Sequence, residues 1–241
     1  MDLRQNLAFP AKPWPRLERH RRIAEMTEKF QLADDTPRQR WAIARALIVE
    51  PKLLLLDDIG MDSALLRQVR ENTTAPVLLA TTDLDLCCSA DELLLLGGGR
   101  VLQRGAPRQV TDQPQSLEVA HLLGMRNLFQ ATVGALDPGR NRCILEFEHF
   151  SLGGPYLPGH FRGDRVWVGI AAESLRAHSG DMAPQGNCVP LNLVRVVPQA
   201  QTVVLEFSSG VFVSLSHAAF AQQKDNKSWR VEFPPDALRI L

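Results

Sequence analysis

The sequence has no long apolar run and few cysteines, and each scarcity excludes a class of protein. No stretch approaches the roughly 18 consecutive apolar residues of a membrane-spanning helix. The N-terminal sequence MDLRQNLAFPAKPWP lacks the continuous apolar core of a secretion signal. The cysteines are Cys87, Cys88, Cys143 and Cys188, and adjacent cysteines suit neither an unstrained disulfide nor a CxxC metal clamp. We therefore expect a protein of a reducing cytoplasm, in which any membrane role goes through a partner.

An excess of one charge is also absent, since 27 Lys and Arg residues balance 27 Asp and Glu residues. This balance argues against nucleic acid as a partner. The local exception is the basic cluster RLERHRR at residues 16–22, which is either the solvated face of a helix or a docking surface for an acidic partner. The six histidines show no ligand spacing such as HxxxH, so we expect no histidine metal centre.

The first half of the sequence alternates helical and strand patterns. Apolar residues recur at helical spacing in residues 15–32 and 38–49, and the second segment leads into four leucines at 53–56. A short helix at SALLRQVREN, a strand at APVLLATTD and a hairpin at DELLLLGGGRVLQRG follow, with three glycines for the turn. Short apolar strands separated by helices indicate parallel α/β packing.

Near residue 126 the pattern changes to alternating strands and turns, which predicts a domain boundary. The stretches NLFQATV at 127 and ILEF at 144 are followed by NCVPLNLV at 187 and VLEF at 204, so both offsets are 60 residues. This spacing predicts two copies of a small β unit, at about 127–180 and 187–241. Chance similarity between β-rich stretches is the alternative. The alternating patterns favour small closed barrels, which leave no exposed edge.

Two aspartates, Asp57 and Asp58, directly follow the four leucines. Many nucleotide-hydrolysing proteins use the end of a buried strand to place a carboxylate magnesium ligand next to a phosphate. Aspartates that begin a turn or the next helix explain the pattern equally well. By itself the pair leaves both interpretations open.

The context of the aspartate pair resembles the ATP-binding cassette (ABC) proteins. QRWAIARALIVEPKLLLLDD at 39–58 is similar to the family segment that leads from the signature helix into the Walker B strand. Four other stretches match in the family's order: LRQNLAF (3–9) after the Q-loop, GMD (60–62) at the D-loop, ATTD (80–83) at the switch strand and GGGRVLQRGAP (97–107) at a hairpin. The resemblance implies that residues 1–125 are the C-terminal portion of an ABC ATPase nucleotide-binding domain.

The second half resembles the TOBE-type domain that follows the ATPase domain in importers for sugars, sulfate, molybdate, iron and polyamines. NLFQATV and GDRVWVGIAAESLR carry this resemblance. Glu173 matches the motif's Glu, whereas Ala171 and Ala172 replace its Arg and Pro. The resemblance implies a TOBE-type β domain at 126–241. The expected fold class is an incomplete α/β P-loop NTPase (ABC ATPase) core followed by an all-β domain of small OB-like barrels.

Most of the family's nucleotide site is missing from this sequence. There is no GxxGxGK[ST] P-loop, whose backbone amides cradle phosphates. ADDTPRQR at 33–40 stands where the family has LSGGQ. Either Asp34 and Asp35 replace its phosphate-binding groups, so that their carboxylates would repel a triphosphate, or a deletion has removed the loop. The resemblance puts Asp57 at the magnesium-ligand position. It also puts Asp58 at the position of the catalytic Glu, one methylene shorter, and Thr82 at the position of the switch His.

The switch strand PVLLATT should also lose a neighbour, because in the family the P-loop strand lies beside it. We therefore expect an exposed apolar surface and an open edge at this strand.

These resemblances imply an ATP-binding-subunit-like component of a bacterial ABC importer, degenerate or N-terminally incomplete, that does not hydrolyse ATP on its own. The family's cofactors are ATP and Mg, and we expect weak binding or none here. The implied partners are permease subunits, with homodimerisation or pairing with a complete ATPase subunit. The implied location is cytoplasmic, peripheral at the inner face of the plasma membrane. The alternative is a non-enzymatic regulator or small-oxyanion-binding protein that acts through the β repeats.

Overall fold

The computed structural model describes residues 3–57, 60–179, 186–225 and 227–241. Its α-helices are α1 (Leu3–Ala8), α2 (Arg16–Lys29), α3 (Arg38–Leu47), α4 (Ser63–Glu71), α5 (Leu84–Cys87), α6 (Pro107–Asp112), α7 (Leu117–Leu122) and α8 (His217–Ala221). Its first strands are β1 (Leu54–Asp57), β2 (Val77–Ala80), β3 (Leu93–Gly97), β4 (Arg100–Gly105), β5 (Asn127–Asp137), β6 (Arg142–Glu146), β7 (Ser151–Gly154) and β8 (Arg165–Ile170). The later strands are β9 (Arg176–Ser179), β10 (Cys188–Leu191), β11 (Leu193–Pro198), β12 (Thr202–Phe207), β13 (Val211–Ser216), β14 (Trp229–Glu232) and β15 (Arg239–Ile240). None of the helices in these ranges is long and apolar enough to cross a membrane.

The chain divides into two compact units, Met1–Asp91 and Glu92–Leu241. In the first unit β1 and β2 pair in parallel, as the sequence predicts. Helix α3 buries Trp41, Ala44 and Leu47 at helical spacing. These side chains belong to one hydrophobic core with residues of β1 and α4.

One face of the β1–β2 pair is apolar and exposed. Leu55 lies opposite Leu78 in the parallel register, and their exposed fractions are 65% and 58%. Leu54 and Leu56 point to the other face and are buried, because successive side chains alternate across a strand. Parallel sheets are normally covered on both faces. The exposed surface expected for the switch strand is therefore present among the described residues.

The second unit begins with the hairpin of β3 and β4. Its turn needs Gly98 and Gly99, which have φ values of 55° and 74°, a region that other residues rarely adopt. Arg239 Nε, near the end of the chain, donates to the Asp112 carbonyl at 2.8 Å. Residues 92–123 therefore pack with the β-rich segment in one compact unit. The boundary predicted at 125/126, between the part that resembles an ABC ATPase and the part that resembles a TOBE-type domain, stays a prediction.

The β-rich segment contains three antiparallel sheets, ordered β15-β8-β5-β6-β7, β11-β12-β13 and β10-β14-β9. Two strand pairings join the two segments that the sequence marks as possible repeats. Strand β9 pairs with β14, and β15 pairs with β8. One core, which includes Leu145, Leu205 and Phe233, serves the whole segment.

Two asparagines 60 positions apart make the same kind of contact in this segment. Asn127, fully buried, donates from Nδ2 to the Phe212 carbonyl at 2.8 Å and accepts from the Phe212 amide at 2.7 Å. Asn187 donates to the Gly153 carbonyl at 2.6 Å and accepts from the Gly153 amide at 2.7 Å. It also donates to the Phe233 carbonyl at 3.0 Å. Each asparagine thus holds the backbone of the other possible repeat.

Candidate functional site

The candidate site lies where β1 and β2 end. Since the two strands are parallel, with Asp57 opposite Ala80, their carboxyl ends meet at one edge, where polar groups of α/β proteins commonly converge. A cavity of about 120 Å³ opens there. It is lined by Gly60, Met61, Leu79, Ala80, Thr81, Thr82 and Asp83.

The structure partly assembles the predicted site residues. Asp57 is the last residue of β1 and is exposed, and Thr82 lines the cavity. Asp58 lies outside the described residues. The functional roles of Asp57, Asp58 and Thr82 stay predictions.

Two other aspartates near this edge are used to cap helices. The Asp62 carboxylate accepts from the Leu65 amide at 2.7 Å and caps α4. The Asp83 carboxylate accepts from the amides of Asp85 and Leu86, at 2.9 and 3.3 Å, and caps α5. These bonds satisfy amides that would otherwise lack partners at a helix start. Both side chains therefore have a structural role in the described conformation.

Gly60 is the first described residue after β1. Its φ is +59°, and a Cβ atom at this position would lie 2.8 Å from Gln39 Nε2. The side chain of Gln39, in the first turn of α3, therefore packs directly against Gly60. The backbone conformation favours glycine here, whereas the contact with Gln39 involves the end of a flexible side chain that could move aside.

The stretch at the signature-loop position forms a closed turn. The Ala33 amide donates to Thr36 Oγ1 at 2.7 Å, and the Thr36 amide donates to the Ala33 carbonyl at 2.9 Å. The carboxylates of Asp34 and Asp35 between them are exposed. Helix α3 starts after Pro37 without a side-chain cap. This turn therefore exposes two acidic side chains directly before α3.

The described edge offers few groups to ATP and Mg, the cofactors of the family. A cavity of about 120 Å³ is smaller than the roughly 300–1,000 Å³ of typical small-molecule sites. In the part of the chain that the structure describes, no group of three or more His, Cys, Asp or Glu side chains could hold a metal ion. Asp57 would have to hold Mg with water and phosphate oxygens as the remaining ligands.

Thiol chemistry is not favoured beside this site. Cys87 ends α5, and burial raises the pKa of its thiol. The reactive form of a cysteine is the thiolate. A raised pKa therefore keeps Cys87 in its unreactive neutral form near neutral pH.

Sequence reasoning missed some of the residues that shape this edge. The role of Asp83 had a signal, because an aspartate before an apolar run is typical of a helix N-cap. The contact between Gln39 and Gly60 had none, since it joins residues far apart in the sequence.

Comparisons with known proteins place the chain among transport ATPase subunits, although no protein-family model matches it. It is 34% identical over 157 residues to the molybdate/tungstate import ATP-binding protein WtpC of Archaeoglobus fulgidus, which covers 57% of this chain and 65% of the relative. It is 28% identical over 201 residues to the spermidine/putrescine import ATP-binding protein PotA of Roseobacter denitrificans, covering 74% of this chain and 55% of the relative.

The match to the sulfate/thiosulfate import ATP-binding protein CysA of Burkholderia mallei is both long and similar. It is 33% identical over 262 residues and covers 95% of this chain and 68% of the relative. The chain thus spans between about half and two thirds of the length of these three relatives. The relatives' names agree with the ordered motifs described above, from the Walker B-like strand to the switch strand. The chain therefore belongs to the family of ATP-binding subunits of ABC importers.

Proposed function

We propose that this chain is an ABC-importer subunit that does not bind or hydrolyse ATP by itself. The observation that carries the proposal is the edge of the β1–β2 pair. The sequence supplies no P-loop to hold phosphates, and the cavity at this edge is small, at about 120 Å³. By resemblance, Asp57 and Thr82 stand at the positions of a metal ligand and a switch residue. Without a P-loop, no phosphates are held for them to act on.

The remaining replacements support the same proposal. The turn at Ala33–Thr36 exposes two carboxylates, which would oppose a γ-phosphate through like-charge repulsion. Asp58, at the catalytic position, has a side chain one methylene shorter than Glu, and a displacement of about 1 Å can cost roughly 10²-fold in rate. Thr82 lacks an imidazole that could act on a phosphate.

The experiment is a titration of the purified full chain with Mg·ATP by isothermal calorimetry, beside a phosphate-release assay. We expect no binding below about 1 mM and no turnover. The Asp57→Asn variant is the matched control. If the chain has no working nucleotide site, removing this carboxylate should leave the titration and the phosphate release unchanged. Micromolar binding that Asp57→Asn weakens would show a working nucleotide site and refute the proposal.

The partners proposed for this subunit follow from the same family. It would contact permease subunits at the cytoplasmic face of the membrane. It would also pair with a second copy or with a complete ATPase subunit that contributes a working nucleotide site. Co-purification with a permease, and sedimentation with and without it, test this arrangement. A chain that stays monomeric and never co-purifies with membranes would contradict it.

A second candidate function is small-oxyanion binding by the β-rich segment, through two copies of one unit at 127–180 and 187–241. The equivalent contacts of Asn127 and Asn187 support such a paired arrangement. Calorimetric titration with molybdate and with sulfate tests it. Micromolar binding of either anion would favour a regulator, and its absence up to about 1 mM would remove this candidate.

A further inference from the structure

A second cavity in the first unit lies beside helix α4. Its volume is about 440 Å³, within the roughly 300–1,000 Å³ of typical small-molecule sites. None of its lining residues belongs to the cavity at the β1–β2 edge. We call it the α4 cavity, and it is lined by Ser63, Leu66, Arg67, Arg70, Glu71 and Ser89.

The α4 cavity is formed by one face of a helix and by the segment after α5. Four of its residues stand at i, i+3, i+4 and i+7 along α4, from Ser63 to Arg70, a spacing that puts side chains on one side of a helix. Arg70 joins the two walls, because its guanidinium donates to the Ser89 carbonyl at 2.9 Å and to the Asp91 carboxylate at 3.3 Å. Leu66, only 7% exposed, supplies an apolar surface. The position of each wall is therefore fixed by contacts within the unit.

Among the described residues, two opposite charges that line the α4 cavity have no partner. Arg67 and Glu71 are both exposed, and neither forms a hydrogen bond or an ion pair there. They are one turn apart on α4, but the basic residue precedes the acidic one, and this order gives the weaker i, i+4 pair. Glu71 is also the last residue of α4, where the helix dipole disfavours a negative charge. Both groups therefore remain available to a ligand.

These charges select the class of ligand. Because Arg70 is already paired with Asp91, the charges left over are one guanidinium, on Arg67, and one carboxylate, on Glu71. A ligand that is only an anion would be attracted by the first and repelled by the second, and a cation would meet the reverse. A small zwitterion satisfies both groups, since guanidinium binds carboxylate and carboxylate binds ammonium in charge-assisted hydrogen bonds.

We propose that the α4 cavity binds an apolar α-amino acid, with its carboxylate on Arg67, its ammonium on Glu71 and its side chain over Leu66. The hydroxyls of Ser63 and Ser89 line the same cavity and add polar groups that orient a ligand. An exposed charge is ordinary by itself. This cavity differs because it offers a cation, an anion and an apolar surface together. The binding involves no nucleotide, so it does not rest on the proposed loss of the ATP site.

The experiment is isothermal calorimetry of the purified full chain with L-leucine as the probe. We expect a dissociation constant between about 0.1 and 1 mM, which is modest because the two charges are exposed to water. Two analogues test the charges separately, since isocaproate lacks the ammonium and isoamylamine lacks the carboxylate. Each analogue should bind about tenfold more weakly than leucine, because it loses one charge-assisted contact.

The variants test the two charged residues. Arg67→Gln and Glu71→Gln should each weaken leucine binding by about tenfold. The exchange of Arg67→Glu with Glu71→Arg keeps the net charge but puts the acidic residue first, the order that favours an internal pair, so it should also weaken binding. The matched controls are Arg45→Gln and Glu28→Gln, at exposed helical residues outside the cavity, and they should leave the dissociation constant unchanged. Circular dichroism verifies that every variant folds.

Three outcomes would overturn the proposal. The first is no binding of leucine up to about 10 mM. The second is binding of either analogue, or of inorganic phosphate, as tightly as leucine, which would identify a site for a single charge. The third is leucine binding that neither Arg67→Gln nor Glu71→Gln weakens, which would place the ligand elsewhere. None of these outcomes affects the Mg·ATP titration, so the two proposals can fail separately.

Discussion

Replacing Asn127 with alanine should loosen the strand of the other possible repeat. The Asn127 side chain is fully buried, and its two hydrogen bonds join it to the backbone of Phe212, 85 residues away. Alanine removes both bonds and leaves the amide and carbonyl of Phe212 without these partners. A lost bond costs about 0.5–1.5 kcal/mol, and an unsatisfied buried group costs about 1–3 kcal/mol. We therefore expect the free energy of unfolding to fall by about 2–4 kcal/mol.

The assay is hydrogen exchange of the full chain, read by mass spectrometry, because it locates the change. Protection of residues 211–216 should fall in Asn127→Ala by roughly 30- to 700-fold, the equivalent of that free energy. Asn187→Ala should instead expose residues 151–154, since its side chain holds Gly153. The exposed Gln130 on the same strand as Asn127 supplies the control Gln130→Ala, which should leave both segments protected.

Exchange that rises only around the substituted asparagine would contradict this expectation. That result would mean that each half of the β-rich segment is stable without the other. A loss of less than about 0.5 kcal/mol in urea unfolding of Asn127→Ala would equally refute it, because surface substitutions have effects of that size.

Three other predictions concern the exposed sheet face, a helix cap and the buried thiol. The double variant Leu55→Gln and Leu78→Gln should bind less of the dye ANS and aggregate less without losing stability, whereas Leu54→Gln on the buried face should lower the free energy of unfolding by about 2–4 kcal/mol. Asp62→Ala should lower it by about 1 kcal/mol in urea unfolding, because the cap of α4 is lost. Burial raises the pKa of the Cys143 thiol, so the folded state holds this proton more tightly than the unfolded state. The stabilisation that comes from this raised pKa is therefore present below the ordinary thiol pKa and is lost as pH rises through the pKa of the folded state. In a pH series of urea unfolding curves, Cys143→Ala should reduce this fall in the free energy of unfolding.

The ordered motifs explain why the family could be read from the sequence. The run from Gln39 to Asp58 and the switch-like ATTD are patterns of neighbouring residues, so they can be recognised in the sequence alone. The helices of the first unit were predictable for the same reason, since an apolar side chain at every third or fourth position defines a buried face. The hairpin at Gly97–Gly99 was equally visible, because its turn needs residues that adopt positive φ.

The orientation of the four leucines could not be read from the sequence. Leu53 to Leu56 are identical in type, so no alternation shows which of them are buried. The structure buries Leu54 and Leu56 and exposes Leu55 at 65%. The choice depends on which side of β1 the helices α3 and α4 occupy, and this follows from the path of the whole chain.

The chain's own residues thus determined the elements, the order of the motifs and the absence of a P-loop, because each of these is a property of neighbouring residues. Only the tertiary structure decided that Gln39 packs against Gly60 and that Asn127 holds Phe212, whereas the Asp83 cap is local and had a signal in the sequence. The asparagine and glycine contacts join residues distant in sequence. Such pairings depend on how the chain folds back on itself, and no short pattern records that path.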